Sequence, residues 1–544
     1  MESKRIISTI ASLNLGIVIG FNTCIHDILT PPSLFAFLRG TNGVDWKIEP
    51  KSFNHPCFPQ MMVSLSESPL ISSDDQYLLQ KGFRPVVFEA GRSIGGVWTS
   101  TLCSTLLQTP TEGYRFIDFP WPESVIGALN RELVMEYLEA YACLFDLIRH
   151  VRFREKVAGL EYVGADLEEM ESWDLWGGTG GAFDRAGRGV WHVTVEKEDG
   201  LLRFSGRFSG LPNIPSFLKN KGPEIFNGKV IHSMDYANVG NTIASNLLKG
   251  KHIIIVDFLK SALDIAAECT DINVMFIIII IIIIIKISNV GLHLLNLQCS
   301  KEFPCTMIVR TKRWNVYDFS AWGVPFGYCY GNHFSELLSH KPGEGIMLRL
   351  LATLLSPLRW VISKFVESYI KKITPIKKYG LVPDHSFFHA MSLALFAVLS
   401  ENFYERDSII LEGHSVPIKA DLVIFGTGFK GDKKLRNIFK SPSFHSIVTG
   451  SSENIVPLYR ECIHLRIPQM VVIGYSESAS NLYTSEMRAM WLSHFLEDGF
   501  QLPSIKLMEK DVKEWDKYMK DYNHEYYRRS SIAGIHIWYN DQLL

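Results

Sequence analysis

The chain predicts an α/β fold with parallel sheets, on three stretches. Residues 77–82 read as the end of a helix closed by a glycine C-cap, and residues 83–89 follow at once as a buried strand ending in an acid. Residues 251–256 form an apolar strand that turns into a helix reaching about residue 269. Residues 421–425 are a short buried strand that runs straight into Gly426-Thr427-Gly428. Strands and helices alternating through glycine turns argue parallel strands joined by crossovers.

The remaining elements follow in order. Residues 1–60 have no clear periodicity, and Pro31, Pro32, Pro50, Pro56 and Pro59 break any long element. Residues 91–126 are loop-rich, 127–150 look helical, 166–189 read as an irregular glycine-rich excursion, and 191–197 alternate like a strand. A strand is expected at 305–309, and a long apolar helix at 348–372 interrupted near Pro357. Residues 471–474 predict another buried strand, followed by a helix from about Thr484. No internal repeat of fixed period is visible.

With 544 residues, 47% hydrophobic and 21% charged, the chain is long enough for two or more domains with their own cores. A formal net charge of −2 carries no basic surplus, so no nucleic-acid partner is expected. The nine cysteines make no C-x-x-C and no histidine pair sits at zinc spacing, so no metal site is expected. That pattern suits a reducing compartment, and the expected location is cytoplasmic. Two apolar runs bear on membranes. Residues 6–21 follow Lys4-Arg5 but contain Ser8, Ser12 and Asn14, so association through residues 4–21 is the alternative location. The second run holds nine consecutive isoleucines from Ile277 and is too short to span a bilayer. It reads as low-complexity sequence inserted into a loop around residues 272–302.

The most specific motif is F-x-G-x-x-x-H-x-x-x-Y at Phe226, Gly228, His232 and Tyr236. It resembles the fingerprint of the flavin-containing monooxygenases, and Tyr236 at its end favours them over the related Baeyer–Villiger enzymes. Residues 88–122 resemble the plant branch of that family, and the resemblance extends over about 77–544 without 272–302. It implies two Rossmann-like dinucleotide-binding domains, the NADPH domain inserted into the FAD domain. The implied division is a divergent segment 1–60, a first FAD-binding part 61–215, an NADPH-binding part 216–420 and a second FAD-binding part 421–544. The implied chemistry is hydride transfer from NADPH to FAD, capture of O₂ as a C4a-hydroperoxide, and oxygen transfer to a small-molecule amine or sulfide. No side chain need act as a nucleophile, and His232 takes a structural or domain-coupling role.

On the FAD side, Glu89 stands where dinucleotide folds place the acid that holds the adenosine ribose, unless it is only a strand-end surface acid. Gly95 and Gly96 let the backbone lie close to a cofactor, and the resemblance implies that Val97 and Trp98 touch it, with Thr109 nearby. It also implies that Gln108 takes the place of an asparagine near the flavin adduct. The phosphate loop departs from the family. Its three glycine positions fall on Ser66, Ser68 and Ile71, and no glycine occurs between Gly43 and Gly82.

On the NADPH side, Ser261, Ala262, Leu263 and Asp264 resemble the second glycine loop at a helix N-terminus, where a pyrophosphate binds. Its leading glycine is Asp257, which adds a Cβ and a negative charge. Arg310 and Lys312 are suited to a 2′-phosphate, or form a solvated basic strand end. Thr427 and Gly428 lie in the second interdomain linker, and residues 206–215 resemble the first.

Overall fold

The computed structural model describes residues 16–20, 60–66, 71–102, 105–107, 109–125, 129–163, 190–197, 211–212, 214–215, 217, 219–239, 241–257, 261–269, 272–273, 305–308, 320–373, 399–404, 406–411, 417–430, 438–448, 456–467, 470–497, 499–523 and 529–544. Two sheets organise them. In the first, β1 (Gly16–Gly20), β2 (Gln60–Ser66), β3 (Phe83–Glu89) and β4 (Val151–Phe153) lie side by side. β2 and β3 run parallel in register from Gln60↔Phe83 to Ser66↔Glu89, and helix α1 (Ile71–Gln80) connects them. This is a βαβ unit. Gly82, at φ +80°, ends α1, with its N–H donating to Leu79 O. Helix α2 (Arg131–Leu144) starts on Asn130, whose side chain accepts from Leu133 N at 2.9 Å. Its buried face carries Val134, Tyr137, Leu138 and Tyr141.

β5 (Glu155–Val163) and β6 (Val190–Lys197) form an antiparallel ribbon, and β7 (Leu211–Pro212) leads out of it. The second sheet follows with β8 (Lys229–His232), helix α3 (Ser233–Asn238), β9 (Ile253–Val256), helix α4 (residues 261–269), β10 (Cys305–Ile308) and β11 (Leu422–Phe425). All of its pairings are parallel, in the order β10-β9-β11-β8. Both faces are covered. Ile254, Val256, Val423 and Phe425 pack with Phe226 on one side, and Ile253, Ile255, Leu422 and Ile424 pack with Tyr236 and Ala262 on the other. That alternation is why these strands read as unbroken apolar runs. Each such side chain contributes roughly 1.5–3 kcal/mol of burial.

Helix α5 (Ile346–Ile373) leaves the second sheet's neighbourhood as one continuous element. The expected interruption at Pro357 does not occur. Proline removes the bond its own N–H would give to Thr353, and both residues are exposed, so that carbonyl stays open to solvent while the helix runs on. β12 (Phe429–Lys430) then pairs antiparallel with β7, so the two linkers run side by side. The chain returns to the first sheet through β13 (Leu458–Tyr459), β14 (Ile463–His464) and β15 (Met470–Ile473), and helix α6 (Asn481–Leu496) follows.

The expected divisions shift at two places. Gly16–Gly20, set apart within 1–60, is an inner strand of the first sheet, antiparallel to both β2 and β15. Leu422–Phe425, assigned to the returning part from 421, belongs to the second sheet, and the chain crosses back only after Phe425.

Candidate functional site

The fingerprint sits where β8 meets α3. Gly228 has no room for a side chain: a Cβ would lie 2.5 Å from the Phe226 ring and 2.7 Å from Asp421 O. His232 is fully buried and caps α3, with Nδ1 accepting from Met234 N at 3.2 Å and the Asp235 carboxylate accepting from His232 N at 3.2 Å. Since Nδ1 accepts, the ring proton is assigned to Nε2, which donates to Gly428 O at 3.1 Å. Burial lowers the His232 pKa and keeps the imidazole neutral. Tyr236 donates its hydroxyl to Glu268 Oε2 at 2.7 Å, and burial, reinforced by Glu268, holds its pKa far above the phenol range. The motif thus ties β8 to the second linker through His232 and to α4 through Tyr236.

In the second sheet's frame, Asp257 takes φ +105°, a conformation that favours glycine, while its N–H donates to Ile308 O at 2.8 Å. Ser261 is exposed and Leu263 half-buried. Ala262 is buried against Gly426, where a Cβ would come within 2.7 Å of the Ala262 Cβ. Asp264 Oδ2 accepts from Thr105 Oγ1 at 2.8 Å, so this carboxylate reaches back to the first domain. Arg310 and Lys312 lie outside the described residues.

In the first frame, Glu89 ends β3 buried, with Oε1 accepting from Gly91 N. Gly95 takes φ +108° against the Met135 thioether, and Gly96 takes φ +50°. Val97 is 47% exposed, whereas Trp98 packs inward and donates Nε1–H to Tyr114 Oη at 2.9 Å. Of the two residues expected on the cofactor, Val97 has the open surface. Gln108 lies outside the described residues, and Thr109 is half-buried. Thr427 is half-buried and Gly428 takes φ +71°. The C-terminal return closes this frame. Ser480 Oγ donates to Gly113 O, and Glu486 accepts from Tyr77 Oη at 3.0 Å and from Ile117 N at 2.7 Å. Burial pushes the Glu486 carboxyl up to about 7.

The residues present fit two dinucleotides in part. Glu89 is a buried acid at the end of β3, Gly95 and Gly96 turn the backbone at positive φ, and α4 offers a helix N-terminus beside a glycine-type turn occupied by Asp257. Sequence reasoning missed Thr105, Glu268, Glu486 and the Gly426–Ala262 contact. One signal was available: Asp264 and Glu268 are four apart, hence on one face of α4, and both bond outside their own helix.

Residues 68–318 match the family model described as flavin-binding monooxygenase-like (FMO-like). The chain is 35% identical over 493 residues to "Probable flavin-containing monooxygenase 1" of Arabidopsis thaliana, covering 84% of this chain and 86% of the relative. It is 23% identical to dimethylaniline monooxygenase (N-oxide-forming) 2 of Rattus norvegicus, covering 80% of this chain and 73% of the relative. Among solved structures, S-allyl-L-cysteine S-oxygenase from Allium sativum superposes with a TM-score of 0.51 at 16% identity, covering 89% of this chain and 88% of that one.

Proposed function

Because the chain belongs to the flavin-containing monooxygenase family, as a flavin-dependent monooxygenase with FAD and NADPH as cofactors, we propose that it transfers one oxygen atom from O₂ to a soft nitrogen or sulfur of a small molecule, with an amine or amino-acid-like nitrogen favoured. The observation that carries this reading is the His232–Gly428 hydrogen bond, which fixes the fingerprint to the second linker at the junction of the two frames. The names of two relatives support the chemical class: one forms N-oxides, and one oxygenates the sulfur of S-allyl-L-cysteine.

FAD would be held by Glu89, Gly95, Gly96 and Val97, with Gln108 and Thr109 toward the reacting side, and NADPH by Ser261, Ala262, Leu263, Arg310 and Lys312. Bound FAD, reduced by NADPH, supplies the redox chemistry and the activation of O₂. The protein's part is to orient and exclude water. Neutral His232 holds the fingerprint to the second linker and the Tyr236–Glu268 bond holds α3 to α4, and neither offers a nucleophile.

The test is purification. A yellow protein absorbing near ~450 nm that oxidises NADPH, and adds one oxygen to N,N-dimethylaniline or a dialkyl sulfide by mass spectrometry, supports the reading. A colourless protein that leaves NADPH untouched overturns it. Two observations favour a second reading, a catalytically inactive relative or a faulty gene model: no glycine stands in the first phosphate turn, and Asp257 stands in a glycine's backbone. Sequencing transcripts across codons 1–76 and 272–302 distinguishes a gene-model fault from a true sequence.

A further inference from the structure

Helix α5 is apolar on two faces, and only one is covered. Ala352, Ser363 and Val366 are buried beneath it, and Trp322 Nε1 donates to Ser368 Oγ at 3.0 Å, so the helix lies flat on the protein. On the other side Met347, Leu350, Leu354, Leu358, Val361 and Phe365 recur at spacings of three and four and are all exposed. At ~100° per residue they fall within an arc of about 80°. Met347 and Leu354 are 80% and 76% exposed, too open for chance surface residues.

The helix is apolar and long enough to cross a membrane over Ile346–Tyr369. Ala352, Ser363 and Val366 pack against the rest of the protein, contacts that spanning would give up and an interfacial position keeps. The charges select the remaining geometry. Arg349, Arg359, Lys364, Lys371 and Lys372 outnumber Glu344 and Glu367, which pair with Arg349 at 3.7 Å and with Lys364 at 2.6 Å. Lys372 lies over the Trp322 ring at 4.5 Å, and Trp322 and Trp360 are exposed. An apolar stripe with a basic surplus and indole rings fits an anionic lipid surface, with the helix in the interface plane. A second copy fits poorly, because two-fold pairing would set one basic helix against another.

We propose that α5 docks this protein on anionic membranes, lying in the headgroup layer with its Met347–Phe365 stripe inserted and the rest of the molecule in water. The test is flotation of the full chain with phosphatidylcholine vesicles, with and without phosphatidylserine, at low and high salt. The wild type should float with phosphatidylserine vesicles and lose about tenfold in binding at high salt, as expected of a basic segment at a charged surface. The double variant Leu350→Glu, Leu354→Glu should lose binding at least about tenfold while keeping its melting temperature, since both side chains are exposed. Three results overturn the proposal: no flotation of the wild type, equal flotation of the variant, or a lipid-free dimer by light scattering that the variant dissociates.

Discussion

In the first frame β2, α1 and β3 pair over seven residues in full register and Glu89 stands in place, yet the turn between β2 and α1 has no glycine. In the second frame β9, α4 and β10 also pair parallel, and the turn after β9 keeps a glycine's backbone at φ +105° with aspartate carrying it. One frame has lost the residue type throughout its turn. The other has kept the conformation and lost only the residue. A strained φ of this kind costs about 1–3 kcal/mol and persists only where its surroundings impose it. Here the Asp257 N–H bond to Ile308 O helps to hold it. The second frame is therefore the one that a single substitution should improve.

The largest expected effect tests how the first frame closes. The Glu486 carboxyl is raised to about 7 from an ordinary 4.5, so the fold favours its protonated form. That contribution is fully present below about 4.5 and is lost as pH rises through about 7. Urea unfolding should show the wild type losing on the order of 3 kcal/mol relative to Glu486→Gln between pH 4.5 and pH 8. Parallel pH profiles would mean that this carboxyl titrates normally. His232 acts with the opposite sign. Its pKa is lowered, so its contribution is present above the ordinary 6.5 and fades as pH falls below it.

Next in size is Gly426→Ala, which drives a methyl into Ala262 and should cost about 2 kcal/mol. It belongs to the second frame, so KM for NADPH should rise while flavin content stays, and loss of flavin would show that the frames are not separable. Asp257→Gly should raise stability by about 1 kcal/mol and tighten NADPH in a binding titration; no gain would mean that the aspartate is held by contacts worth its strain. The smallest effect is expected from Thr105→Val. Losing the bond to Asp264 should cost roughly 0.5 kcal/mol in thermal unfolding.

Much of this architecture was legible. The Gly82 cap, the strand ending at Glu89 and the apolar runs at Ile253–Val256 and Leu422–Phe425 are local signals, and each produced its element. The fingerprint was legible as a pattern, and its Gly228 is explained by a contact with Asp421 O far along the chain. What stayed hidden depends on distant partners. Nothing local marks Glu268 as the acceptor of Tyr236, Thr105 as the partner of Asp264, or Glu486 as the acid that meets Tyr77. The strand at Gly16–Gly20 was hidden for the same reason, because its neighbours β2 and β15 come from the two ends of the chain. Pro357 misled because proline inside a helix costs one hydrogen bond without having to end the element.

The parallel register of β9 and β10 has a consequence for engineering. Cys305 faces Ile253 and Ile308 faces Val256, however many residues separate α4 from β10. The ends of that crossover are set by the sheet, and its length is a free parameter. Closure entropy grows only logarithmically, by about 0.6 kcal/mol for each doubling of a loop. The junction between α4 and β10 thus offers a place where a segment could be excised or exchanged without rewriting either sheet.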